Sequence, residues 1–296
     1  MAEEISKIIS NGISTYTKNP NLCIPFILNI IMIGLTAIII TIFSFVYLFG
    51  SLQIEEYNTP EALSLAFISS LSHHIYEVAA IVIAGFLIIM YIATFFTSGA
   101  IGMARQATET GRTTFSTMME SGKKNVMNLF LAEILFLLLV FAGIVFMVPG
   151  AKNIDFLQPS KDASLLLMIG FLLWIVYLLI ISVALSAFSY VLVIESLGPV
   201  DGIIAGFNFF KKNASGVFLV ILATIGVSFI FAIIDAIMSY NSILNTIWFF
   251  VSLLISVCIL SPIMTLWWVR LYMTRTGKQV YFNDLLVHPN DLPKIL

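Results

Sequence analysis

Residues 164–194 read SLLLMIGFLLWIVYLLIISVALSAFSYVLVI, with no Asp, Glu, Lys, Arg or His anywhere from Ser164 to Ile194. A helix rises 1.5 Å per residue, so about 20 apolar residues cross the roughly 30 Å of hydrocarbon in a bilayer. This run is longer than that. It is expected to tilt, or to protrude from the inner face as a continuous helix. Lipid offers the backbone no hydrogen bonds, so only helices and closed barrels traverse it. A uniformly apolar run of this length is not the alternating pattern of a barrel strand.

The same reading finds five further runs, approximately Cys23 to Phe49, Val78 to Ala104, Val126 to Val148, Gly216 to Met238 and Thr246 to Met273. The predicted fold is all-α: a polytopic bundle of six transmembrane spans, forming a single integral membrane domain over residues 1–296. Composition agrees, because 60% of the 296 residues are hydrophobic and only 10% are charged. A water-soluble fold could not cover so much apolar surface with so few polar groups. A net charge of −2 without a long basic run argues against nucleic acid as a partner. Cys23 and Cys258 fall inside apolar runs without metal-type spacing, and read as lipid-facing or packed thiols. The segment before the first span carries Glu3 and Glu4 and makes a poor signal peptide, so that span is expected to stay attached.

Basic residues set the orientation. With the N-terminus in the cytoplasm, Lys7, Lys18, Arg105, Arg112, Lys123, Lys124, Lys211, Lys212, Arg270, Arg275, Lys278 and Lys294 lie inside, and Lys152 and Lys161 outside. This positive-inside asymmetry predicts a cell-membrane protein with both termini cytoplasmic. Trp267 and Trp268, just before Arg270, read as an inner aromatic belt with a snorkelling arginine.

Three times an amphipathic segment runs into a Lys-Asn pair and then a span, at Lys18-Asn19, Lys124-Asn125 and Lys212-Asn213. Internal triplication is the natural inference, with units of about 1–104, 105–195 and 196–296. The amphipathic segments share i, i+3, i+4 spacing: Ile5, Ile8, Ile9; Phe115, Met118, Met119; Val200, Ile203, Ile204; and Phe282, Leu285, Leu286 in the tail. Such spacing gives one apolar stripe on a helix, and short helices lying in the inner interface are expected. Ser116 and Asn283 are placed to act as N-caps.

A resemblance rests on three stretches: Lys18-Asn19-Pro20-Asn21-Leu22 leading into Pro25, the run Gly99, Gly102, Arg105, Gly111 to Gly122 and Asn125, and Glu195 through Ile204 to Phe207. They resemble a broad prokaryotic group of uncharacterised six-helix membrane proteins, common in archaea, and the membrane domain that accompanies some glycerophosphodiester phosphodiesterases. The resemblance implies six spans with interfacial helices. It brings no catalytic residues, since that activity belongs to a separate barrel domain, for which the six spans leave no room here.

Residues able to do chemistry are few. Ionisable groups inside spans are functional candidates because burying one in lipid costs at least about 2.5 kcal/mol. Glu133 lies eight residues beyond Asn125 and is expected to be a buried structural carboxylate, or else to serve transport or a relay by accepting hydrogen bonds across the bundle or meeting an inner-face cation such as Arg105. Asp235 falls near the outer end of the fifth span, within reach of headgroups. His73, His74 and Glu77 are a weak outer metal candidate. No GxSxG elbow, Walker loop or HExxH helix occurs, and no cofactor or enzymatic activity is expected. The remaining intramembrane polar and small positions include Ser98, Gly99, Ser186, Ser261 and Pro262, with Ser228, Ala232 and Ala236 at helix-packing spacing. They serve packing, or else Gly99 and Pro262 frame a cavity opening toward the cytoplasm.

The leading expectation is a non-enzymatic membrane protein. Its interfacial cations, Lys18, Arg105, Lys124, Lys212 and Arg270, would engage membrane lipids, a protein partner or a second copy of the chain. The alternative is a permease or channel for a neutral or apolar small molecule, lined by the span hydroxyls.

Overall fold

The computed structural model describes residues 3–50, 59–152 and 161–281. Helix α1 (Ile5–Lys18) leads through a 3-10 turn, Pro20–Cys23, into α2 (Ile24–Phe49); α3 (Pro60–His73) and α4 (Ile75–Thr110) follow. Helix α5 (Phe115–Ala142) continues through a second 3-10 turn into α6 (Val148–Ala151), and α7 (Lys161–Ala184) is followed closely by α8 (Phe188–Glu195). Then come α9 (Pro199–Met238), α10 (Ser242–Ile255) and α11 (Ser261–Arg275). Among the described residues, six stretches are long and apolar enough to cross a membrane: Pro20–Phe49, Ile75–Thr110, Phe115–Ala151, Asp162–Glu195, Pro199–Met238 and Ser242–Arg275. The protein is an all-α, multi-pass membrane bundle.

Several helices outrun the bilayer. Helix α4 has 36 residues and so extends about 54 Å, while the 40 residues of α9 form two helical pieces that meet at Asn213. The excess lies at the end that carries Arg105, Arg112, Lys211 and Lys212, here called the basic end. This corrects the expectation of separate amphipathic helices for one segment of the three. Helix α1 stands apart and residues 199–212 form a helical piece that ends at a break, whereas residues 115–124 are the first turns of α5. The difference lies in the residue after the Lys-Asn pair. Pro20 bars Asn19 from helical geometry, and Asn19 adopts φ −132°, ψ 63°. Val126 lets α5 run on unbroken, while α9 kinks at Asn213, with φ −131° and ψ 29°. The fourth amphipathic segment, Phe282 to Leu286, lies outside the described residues, as does the N-cap candidate Asn283. Thr114, not Ser116, caps α5, its hydroxyl accepting the Thr117 amide.

The fourth span is not continuous either. Residues 185–187 form a turn between α7 and α8, where the Ser186 hydroxyl donates to the Val183 carbonyl at 2.9 Å. Such local side-chain bonding competes with the helical ladder. In the sixth span a π-helical segment, Ser256–Leu260, joins α10 to α11.

Packing is concentrated at the basic end. Residues Ser98–Ala104, Val191–Ile194 and Thr265–Met273 are all buried, so the basic-end parts of the even-numbered spans form the core. In lipid there is little hydrophobic drive between helices, and close approach depends on small residues. A side chain at Gly99 would meet Met118 at 2.6 Å, and one at Gly206 would meet the Phe188 backbone at 2.5 Å. Away from the core the side chains turn outward, with Ile39 66%, Ile180 64% and Phe229 65% exposed. That is the surface hydrocarbon covers. Ser228, Ala232 and Ala236 lie on that exposed surface, so the small-residue face of α9 is not used in packing.

Candidate functional site

A closed circuit of polar links joins α1, α4, α8 and α11 at the basic end. Asn19, after α1, donates its side-chain amide to the Gly111 carbonyl at 3.0 Å, and its Oδ1 accepts the Thr113 amide at 3.1 Å, holding the turn after α4. Gly111 takes a positive φ of 78° there, a conformation in which glycine has no steric penalty. Arg105 on α4 donates to the Ile194 carbonyl at 2.7 Å, at the end of α8, and to Glu109 at 2.8 Å. Glu195, closing α8, accepts the Tyr272 hydroxyl of α11 at 2.6 Å and the Lys278 ammonium at 3.0 Å. Arg270 on α11 completes the circuit with Glu3 before α1, through Nε–Oε2 at 2.9 Å and Nη2–Oε1 at 3.1 Å.

The Arg270–Glu3 pair corrects the snorkelling reading. Both side chains are only 2% exposed, and Asn11 adds a hydrogen bond to the same carboxylate at 2.5 Å. Trp267 and Trp268 are likewise core residues and not a belt, being 5% and 8% exposed. The Trp267 indole donates to the Ile9 carbonyl at 3.2 Å, over Gly12. The apolar stripe of α1, centred on fully buried Ile8, therefore faces α11 and not lipid.

Pro262 explains a further tie. It has no N–H, and its ring crowds the carbonyl four residues back, that of Cys258, which a regular helix would have satisfied. The local π-helical turn opens that position, and the Tyr16 hydroxyl of α1 donates to the Cys258 carbonyl. Burial pushes the Tyr16 phenol pKa up, with Cys23 and Cys258 nearby contributing in the same direction. Both cysteines are free and half-buried, in keeping with packed thiols. Ser261 donates to the Ser256 carbonyl at 2.9 Å, and Pro262 and Gly99 are both buried against neighbours. The cavity anticipated between Gly99 and Pro262 is thus filled by packing, with Met118 lying against Gly99.

Recessed space at the basic end lies elsewhere. One groove of about 230 Å³ is bounded by Arg105, Glu109, Glu120, Lys124 and Asn125. Another, of about 320 Å³, is lined by Lys18, Arg112 and Tyr281. Ser98 is fully buried, and its hydroxyl has no partner among the described residues, although its carbonyl accepts the Ser121 hydroxyl at 2.8 Å. Glu133 is half-buried beside the core stripe Leu129, Ala132 and Phe136. It makes no hydrogen bond or ion pair among the described residues, and Arg105 is engaged by Glu109 instead. Asp235 is exposed and accepts the Trp248 indole N–H. Lys212 is exposed. His74 approaches Glu77 at 3.7 Å, but no group of three metal-type ligands occurs among the described residues.

The asparagines of the three Lys-Asn pairs share one side-chain hydrogen bond, though not one backbone conformation. Asn19, Asn125 and Asn213 donate their side-chain amides to the carbonyls of Thr15, Ser121 and Phe209, each four residues back, at 3.0, 3.1 and 3.1 Å. Glu3, Tyr16 and the bridging role of Asn19 were not legible beforehand. Only Pro262, four residues after Cys258, signalled that a carbonyl there needed an outside donor.

Over residues 4–271 the sequence matches the family described as domain of unknown function DUF7847. The chain belongs to the DUF7847 family. No curated protein and no solved structure matches it.

Proposed function

We propose that this DUF7847 chain is a non-enzymatic multi-pass protein of the cell membrane, with both termini cytoplasmic, that holds inner-leaflet lipids at its basic end. The observation carrying this reading is one face of α9. Val200, Ile204 and Phe207 are 56%, 52% and 43% exposed at i, i+4, i+7 spacing, and the Lys211 ammonium lies 5.7 Å from the Phe207 ring centre. A stripe of exposed apolar side chains ending in lysines suits the boundary between acyl chains and anionic headgroups. The side-chain hydrogen bond common to the three asparagines supports reading the chain as three repeats. The link to the membrane domain that accompanies glycerophosphodiester phosphodiesterases rests only on the short motifs quoted above.

Native mass spectrometry of the detergent-purified protein tests the lipid reading. Anionic phospholipid should stay bound, and Lys211→Ala with Lys212→Ala should lower its retention. Loss of every lipid from the wild-type chain, or capture of a protein partner or second copy on this face in place of lipid, would count against it. A permease for a neutral or apolar small molecule is the second reading, favoured by an apolar cleft of about 550 Å³ between α2 and α4, beside Ile40, Phe45 and Gly85. Solute flux into proteoliposomes that stops when this cleft is filled by Gly85→Leu would reverse the ranking.

A further inference from the structure

The groove between the end of α4, the start of α5 and the last residues of α8 has a specific chemistry. Arg105 and Lys124 are cationic, Glu109 and Glu120 anionic, so its charged lining sums to zero. Arg105 uses Nε on Glu109 and Nη1 on the Ile194 carbonyl, while Nη2 makes no hydrogen bond among the described residues. Lys124 and Glu120 are exposed, one helical turn apart on α5, and not paired with each other.

Asn125, 3% exposed, lines the same groove. Its amide nitrogen is committed to the Ser121 carbonyl, which fixes the orientation of the group. Its Oδ1 is a buried acceptor with no partner among the described residues. The equivalent oxygen of Asn19 accepts a backbone N–H from Thr113 at 3.1 Å. An unmet buried acceptor is unfavourable, so this position calls for a donor from outside the chain.

Depth adds the last constraint. Glu120, Lys124, Met127 and Leu131 follow i, i+4, i+7, i+11 spacing and share one face of α5. Met127 and Leu131 are 57% and 42% exposed, so the charged groove opens onto an apolar strip that continues toward the bilayer interior.

Building on the lipid-holding reading above, we propose that this groove binds a phospholipid headgroup carrying a primary ammonium. The phosphate sits against Lys124 and the Arg105 guanidinium. The ammonium donates to Asn125 Oδ1 and faces Glu120, and an acyl chain runs along Met127 and Leu131. A trimethylated headgroup has no N–H to give Asn125, and a glycerol headgroup has no charge for Glu120.

The test titrates delipidated protein with short-chain phosphatidylethanolamine, phosphatidylcholine and phosphatidylglycerol, and separately with free phosphoethanolamine, read by native mass spectrometry. Phosphatidylethanolamine should bind about tenfold tighter than the other two lipids. Glu120→Gln should abolish the preference over phosphatidylglycerol while leaving that over phosphatidylcholine, and Lys124→Ala should weaken all three; both residues are exposed, and an unchanged melting temperature checks the fold. Lys211→Ala with Lys212→Ala should leave the preference intact. Equal affinity for the three lipids, or a preference over phosphatidylglycerol that survives Glu120→Gln, would overturn the site while leaving the broader lipid reading standing. Competition by free phosphoethanolamine at the lipid's own concentration would overturn the lipid as the source. Retention of no lipid at all by the wild type would sink both.

Discussion

Arg270 and Glu3 stand or fall together. A buried charge whose partner is removed keeps its desolvation cost, and breaking such a pair costs about 3–5 kcal/mol, whereas replacing both members with apolar groups is often near neutral. Arg270→Met and Glu3→Leu should therefore each lower the thermal midpoint in detergent sharply, while the double variant recovers most of the loss. Glu133 should behave in the opposite way. It has no partner among the described residues, so Glu133→Gln removes an unpaired intramembrane carboxyl group and should raise the midpoint or leave it unchanged. At this scale the sequence was half legible. Arg270 announced itself as a cation at the end of an apolar run, but its partner lies 267 residues away. No periodicity links a residue to a mate so distant, so a buried arginine at this position reads in sequence like a snorkelling one.

Helix α1 and the π-helical turn of the sixth span form a coupled pair of elements. Tyr16→Phe removes the donor to the Cys258 carbonyl and should cost about 1–3 kcal/mol, the penalty of an unmet buried carbonyl. Pro262→Ala restores a backbone N–H that can take that carbonyl in a regular helix. In that background Tyr16→Phe should have little further effect, and a double-mutant cycle on melting temperature measures the coupling. Tight packing of α8 on α9 depends on Gly206, beside the Phe188 backbone at 2.5 Å, so Gly206→Val should cost about 1–3 kcal/mol by overpacking. The spans were legible because twenty apolar residues have one physical meaning. Their continuations were not, since an amphipathic stripe reads alike whether it lies on lipid, as Val200 and Ile204 do in the proposed reading, or docks on another helix, as Ile8 does.

For the molecule as a whole, the proposed orientation has a direct check. In a chain with Cys23 and Cys258 replaced, Ser10→Cys and Gln279→Cys should react with an impermeant maleimide only after the inner face is opened, and Ser242→Cys should react from outside. Reaction of the first two on opposite faces would overturn the topology. The candidate site was legible only as a list of basic positions. Which of them bind helices, as Arg270 does, and which stand exposed beside a groove, as Lys124 does, follows from the packing of α4, α5, α8 and α11.

The closure of α1 onto α11 also imposes an order of events during biosynthesis. The segment holding Glu3 emerges first, yet its mate on the last span is made some 267 residues later, an interval on the order of 10 to 50 s at ordinary translation speeds. Through that interval the amphipathic stripe of α1 has no α11 to cover it, and it must wait on the bilayer surface or under a chaperone. The span that carries Arg270 is therefore the one that lets α1 settle.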